Sequence, residues 1–275
     1  MSDSLIRFSG RNDELFEQLR IIDPSIEGVL RRVGVALSDF EPSLLTEWSD
    51  QGLWPKIEAY SLRYVLPVYE LAKSPQADLI NILAVQLLSC VSWRHFDDCI
   101  DAHGSTIAAT LASSLSCLRL YEFAQRLTSG SIRGTLERHY AEMAMQAITE
   151  RTKSVELHDI WKRCSIFMFS PEAIAKLPDE SVEMLRCYIN YSGIAHDIHD
   201  FMSDAAEGVK SLPVSWMSEL NPEGVFSVSK VKCLYEELRQ RVAPLEQQAE
   251  ELQISRCFPL INHLWMESRR TIHDE

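Results

Sequence analysis

Leu79, Leu83, Leu87 and Val91 follow one another four residues apart. That spacing lays them along one face of an α-helix and does not fit the two-residue alternation of a strand. The residues between them are mostly apolar as well, interrupted by Asn81 and Gln86. A helix that is apolar all round must be enclosed by other elements, so this run calls for a core built around it. It leads directly into Asp97-Asp98-Cys99-Ile100-Asp101.

The elements around it also read as helices. Leu15, Leu19 and Ile22 mark an amphipathic helix, and Asp23-Pro24-Ser25 restarts the chain. Glu41-Pro42 opens a short helix through Trp48. Trp54-Pro55 opens another to about Leu71, and Lys73-Ser74-Pro75 breaks it. His103-Gly104 ends the long apolar helix. Further helices are expected over 105–128, 131–152, 155–176 (kinked at Pro171), 179–204, 227–252 and 256–272, with a loop from Gly208 to Pro213. Alternating runs and Asn-Gly turns are absent. The expectation is an all-α chain forming one domain over 1–275, with 1–40 as additional N-terminal helices.

Of the 275 residues, 46% are apolar, enough for a full core, and the net charge is −13. Such a charge disfavours nucleic acid or an anionic membrane as partner, since both call for basic surface. The apolar stretch from Leu79 to Val91 is short for a bilayer span, so no stable membrane insertion is expected. The seven cysteines are odd in number and form no CxxC pair, as expected of buried reduced thiols. Met1-Ser2-Asp3-Ser4 has neither a basic nor an apolar leader region. A cytoplasmic setting is expected.

Asp97 and Asp101 stand one helical turn apart with Asp98 about 100° round. Carboxylates so crowded raise each other's pKa, and a hard divalent cation relieves the repulsion. A second group lies 100 residues further on, in His196-Asp197-Ile198-His199-Asp200-Phe201-Met202-Ser203-Asp204. Asp197, Asp200 and Asp204 share one face at i, i+3 and i+7; His196, Asp200 and Asp204 form an alternative stripe at i, i+4 and i+8. An acidic mouth needs basic groups to hold a diphosphate. Arg151, Lys153, Lys162, Arg163, Lys210, Arg269 and Arg270 are candidates, with Arg151 and Lys210 best placed by spacing.

These residues resemble the class I isoprenoid synthase superfamily of trans-prenyl diphosphate synthases and terpene cyclases. Asp97-Asp98-Cys99-Ile100-Asp101 matches its first DDxxD motif. Asp197-Ile198-His199-Asp200 matches most of the second, and in the cyclase frame His196, Asp200 and Asp204 take the ligand places. Gly208 to Pro213 is similar to the lysine loop after the second motif, and Arg151 lies where cyclases carry a diphosphate-sensing arginine. The resemblance covers roughly 60–272. It implies a helical bundle with a central apolar cavity, three Mg²⁺ ions, an isoprenyl diphosphate substrate, and a homodimer among its allowed assemblies.

The departures bear on the reaction. In Ser61-Leu62-Arg63-Tyr64-Val65-Leu66-Pro67, Leu66 stands where a prenyl synthase carries an arginine for isopentenyl diphosphate. Cys90 replaces a histidine, and no arginine occurs from His103 to Thr110. The expected activity is therefore that of a Mg²⁺-dependent terpene cyclase, a lyase, leaning to farnesyl diphosphate. A prenyltransferase and a non-catalytic partner subunit are the alternatives. Asp97, Asp98, Arg151 and Lys210 would act on the leaving diphosphate. Trp93, Phe96, Phe167, Phe169, Tyr188, Tyr191, Phe201 and Trp265 are candidates to face the carbocation. Imidazole is a poor Mg²⁺ ligand, so His196 is expected to turn to diphosphate or to a neighbouring carboxylate.

Overall fold

The computed structural model describes residues 12–72, 78–101, 107–152, 157–207, 214, 216 and 228–273. Among them the regular elements are all helical, with no strand. The chain divides into two compact units, Met1–Ala141 with Ser165–Val182, and Glu142–Cys164 with Glu183–Glu275. The breaks proposed at Lys73-Ser74-Pro75, His103-Gly104 and Gly208 to Pro213 lie outside the described residues.

The first unit contains α1 (Asp13–Ile22), α2 (Ile26–Phe40), α3 (Leu44–Asp50), α4 (Trp54–Tyr60), α5 (Leu66–Leu71), α6 (Leu79–Asp101), α7 (Ile107–Arg126) and the start of α8 (Arg133–Thr152). The leucine-spaced α6 packs against α2, α4, α5 and α7, and against two π turns, Ser61–Val65 and Ser170–Ile174. Every residue from Ile82 through Ser92 is buried, and each apolar side chain so enclosed contributes about 1.5–3 kcal/mol. The polar ones are satisfied in part, since the buried Gln86 Oε1 has no hydrogen-bond partner among the described residues. Ser89 Oγ donates to the Val85 carbonyl at 2.9 Å, and Gln86 Nε2 donates to the Tyr64 carbonyl at 3.3 Å. The Ser170 hydroxyl donates to the Ile82 carbonyl at 2.8 Å, which ties the second π turn to α6. The helix outruns its leucine spacing, because Trp93, Phe96 and Ile100 continue the apolar count past Val91. By length and composition Leu79–Ile100, 22 residues, is long and apolar enough to cross a membrane; an 18-residue window of it has mean hydropathy 1.2 and is 67% buried within the protein.

Two tethers join the N-terminal helices to this core. Asp23 caps the turn after α1 by accepting from Ser25 N and Oγ at 3.0 and 2.7 Å, and it accepts from the Tyr69 hydroxyl of α5 at 3.1 Å. Arg119 of α7 grips Glu47 of α3 through two bonds of 2.7 and 3.0 Å, and those bonds hold the Glu47 carboxyl below its usual range. The helix opened by Trp54-Pro55 reaches Leu71 as expected, with a π turn inside it. Pro67 offers no N–H to the carbonyl one turn back, and the chain winds wider just before it.

The segment expected to be one helix kinked at Pro171 is built differently. Leu157–Met168 is a 3₁₀ helix broken at Cys164, where φ and ψ are −114° and 27°. Pro171 sits within the π turn that follows. The break at Cys164 is also where the chain passes from one unit to the other.

The second unit contains the end of α8, the first half of this 3₁₀ helix, most of α9 (Asp179–Glu207), α10 (Val228–Glu251), α11 (Ile254–Cys257) and α12 (Pro259–His273). The 3₁₀ segment is fixed along one stripe of α9. Arg186 lies over the Trp161 ring at 4.8 Å, Asn190 Oδ1 accepts from Trp161 N–H at 2.7 Å, and Gly193 meets Ile160. A Cβ on Gly193 would stand 2.9 Å from Ile160 Cγ2. Ile160 is buried and β-branched, so it has little freedom to yield. Gly193→Ala gains roughly 1 kcal/mol of helix propensity, against an overpacking cost of about 1–3 kcal/mol. A net loss on the order of 1 kcal/mol is expected in urea unfolding, relieved in the double variant with Ile160→Leu. Unchanged stability of Gly193→Ala would contradict this packing.

Candidate functional site

The acidic end of α6 carries a cation of its own. Arg94 donates through Nη1 to Asp97 Oδ2 at 2.9 Å and through Nη2 to Asp98 Oδ1. The three side chains are 29, 26 and 38% exposed, so the cluster lies at the surface of its unit without being fully solvated. The i, i+3 and i, i+4 spacing that gathers the aspartates also gives Arg94 its reach.

Asp97 stands one turn beyond Trp93 on the same face of α6. Trp93 meets Phe167 edge-on with ring centres 5.6 Å apart, and it meets Tyr60 at 6.2 Å. Tyr64 completes the group, 4.7 Å from Phe167 and 6.3 Å from Tyr60. Burial pushes the Tyr60 phenol up, and Arg94 and Asp97 both act on it electrostatically. The first carboxylate therefore follows, one turn on, a ring that belongs to a cluster of four. Trp93 and Phe167 were expected from sequence; Tyr60 and Tyr64 join them because the π turn brings α4 and α5 against α6.

The other flank of α6 is polar. Buried His95 shares a hydrogen bond with Ser116 of α7 through Nδ1 at 2.5 Å, and burial lowers its pKa, so it is neutral at pH 7. The Ser92 and Tyr140 hydroxyls bond to each other, and Phe96 packs edge-on to Tyr140 at 6.4 Å.

In the second unit the aspartates of α9 separate. Asp197 is turned inward, its side chain 9% exposed, and accepts from Arg163 Nη1 through both oxygens at 2.8 Å. His196 and Asp200 face outward at 71 and 42% exposure, with His196 Nδ1 3.4 Å from Asp200 Oδ2. His196 and Asp200 of the i, i+4 stripe are thus exposed, and the i, i+3 partner Asp197 belongs to an internal pair.

Further candidates fall in the core of this unit. Tyr191 stacks on Trp265 with centres 3.8 Å apart and planes 15° apart. Its hydroxyl donates to Glu246 at 2.6 Å, and His273 and Arg269 lie 2.8 and 3.5 Å from the same carboxylate. Burial alone would raise Glu246; the bonds from Tyr191 and His273 outweigh it and hold the carboxyl low. Tyr188 and Phe201 are buried in this unit, Phe169 is buried in the first, and Lys162 pairs with Asp159 at 2.7 Å. Arg270 is exposed on α12. Asp101, Arg151 and Asp204 lie on the last turns of α6, α8 and α9 with side chains outside the described residues, and Lys153 and Lys210 lie outside them altogether.

Among the described residues no three His, Cys, Asp or Glu side chains gather closely enough to hold a metal ion. The donors at the end of α6 fit Mg²⁺ in kind: they are hard oxygens, partly solvated, and already draw a cation. Asp197 does not fit, because Arg163 takes both of its oxygens. Compared with protein-family models, curated proteins and solved structures, the chain matches none. Its all-helical architecture is compatible with an isoprenoid synthase fold.

Proposed function

We propose that this protein is a Mg²⁺-dependent class I terpene cyclase that ionises an allylic isoprenyl diphosphate, with farnesyl diphosphate the favoured length. The observation that carries the proposal is the placement of Asp97 one turn beyond Trp93, whose ring clusters with those of Tyr60, Tyr64 and Phe167. Ionising a C–O bond calls for two unlike environments side by side. One must receive the negative charge of the departing diphosphate. The other must hold an allylic cation away from water. Asp97, Asp98 and Asp101 would hold Mg²⁺, as would Asp200 and Asp204, and bound Mg²⁺ supplies charge neutralisation for the leaving group. The four rings can each stabilise a desolvated cation by roughly 1–2 kcal/mol.

Cyclisation is favoured over chain elongation by the positions where a prenyl synthase keeps basic residues. Leu66 and Cys90 are both 0% exposed. A second diphosphate beside the first would need several added cations, each charge-assisted contact contributing roughly 1.5–3 kcal/mol. The test supplies labelled isopentenyl diphosphate together with geranyl, farnesyl or geranylgeranyl diphosphate and Mg²⁺. A hydrocarbon should appear with the label untouched. Label in a longer chain would replace the cyclase with a prenyltransferase. No turnover with any combination would favour the non-catalytic helical subunit, in which Arg94 and Arg163 are the permanent partners of their aspartates.

A further inference from the structure

We infer that Arg94 is a built-in competitor for the metal, closing Asp97 and Asp98 to free Mg²⁺ and yielding them to Mg²⁺ that arrives with a diphosphate. The inference rests on the reading of this cluster as a diphosphate-metal site. One guanidinium bridges two carboxylates from the same helix, one nitrogen to each. Its donors occupy an oxygen of each aspartate, and its charge opposes a second cation at short range. Mg²⁺ gives up its waters reluctantly, so the bare ion gains little by displacing an arginine already in place. A diphosphate changes the balance for both cations. Its oxygens complete the Mg²⁺ shell, and they present the planar, bidentate acceptor that a guanidinium prefers. Arg94 then exchanges carboxylate oxygens for phosphate oxygens, and the aspartates exchange Arg94 for the metal. The cluster so described admits metal and substrate together and rejects metal alone.

An ordinary helix-surface ion pair would have the same resting geometry and none of this selectivity, so the test measures binding. Mn²⁺ serves as a paramagnetic probe, titrated into the full-length protein with and without inorganic diphosphate, and free Mn²⁺ is read by electron paramagnetic resonance. In the wild type, diphosphate should tighten Mn²⁺ binding about tenfold or more. Arg94→Gln should bind Mn²⁺ alone about tenfold more tightly than wild type, the scale expected for removing one positive charge a few ångströms from a divalent ion at a water-exposed site. Most of the tightening by diphosphate should then be lost. Arg94→Lys, which keeps the charge and lacks the fork, should fall between them. Circular dichroism verifies that each variant is folded. Equal metal-only affinity in wild type and Arg94→Gln, with binding abolished in both by Asp97→Asn/Asp98→Asn, would overturn the competitor role and leave the metal site standing. Binding that survives the double aspartate variant, or no binding under any condition, would overturn the site and the inference together.

Discussion

Asp97→Ala is expected to lower the rate of allylic diphosphate ionisation by on the order of 10²-fold or more while leaving the helical fold intact. The size of the effect follows from where the charge acts. Groups positioned where charge develops in a transition state are worth factors of roughly 10²–10³ apiece when removed. The effect on stability should be small. Asp97 makes an i, i+3 pair with Arg94 at a partly solvated helix end, and such pairs contribute about 0.3–0.5 kcal/mol. The check is a single-turnover measurement with farnesyl diphosphate and Mg²⁺, paired with urea unfolding. Near wild-type turnover in a folded Asp97→Ala protein would remove the α6 cluster from the chemistry. A large loss of stability would mean that the cluster serves the fold.

The opposite division is expected for Asp197. Asp197→Ala removes one half of a largely buried ion pair and leaves Arg163 facing a vacated site. Breaking a fully buried pair costs about 3–5 kcal/mol. Arg163 keeps 20% of its side-chain surface in water, so about 2–3 kcal/mol is the better figure here. Part of that cost is the guanidinium's loss of its carboxylate, so Arg163→Met combined with Asp197→Leu should recover part of the stability. Unfolding in urea followed by far-ultraviolet circular dichroism reads both variants. An Asp197→Ala protein as stable as wild type would show that the pair does not hold the 3₁₀ segment to α9.

These two residues also show how far sequence carries. Asp97 and Asp197 occupy matching places in two similar motifs, and nothing in their local spacing separates them. What separates them is an arginine. Arg94 lies within the same two helical turns as Asp97, and a scan for i, i+3 and i, i+4 partners finds it. Arg163 is 34 residues from Asp197, and only the docking of a 3₁₀ segment on α9 brings them together. The long helices were legible for the same reason as α6: apolar residues repeated at helical spacing over many turns. The 3₁₀ stretch from Leu157 was not. Three-residue and four-residue winding place nearly the same apolar side chains inward over one or two turns, and the choice between them is made by contacts such as Gly193 on Ile160. The aromatic group was half legible. Trp93 and Phe167 lie in strongly apolar runs, whereas Tyr60 precedes and Tyr64 lies within a turn whose width the sequence does not announce.

That turn has a consequence for comparing this chain with others. A π turn accommodates one residue more than the regular helix it interrupts. Ser61–Val65 therefore behaves as a one-residue insertion, with Arg63 inside it and Leu66 just after it. Removing one residue there would let the turn close to regular α winding, with α5 kept in phase with α4. A homologue with a regular helix in this place should align only with a gap at Ser61–Val65, and on its far side every residue equivalence moves by one. Which residue of this chain would answer to a prenyl synthase's arginine, on the proposed reading, thus depends on where the gap is drawn. The correspondence has to be settled by superimposing backbones through α4 and α5, not by counting along the two chains.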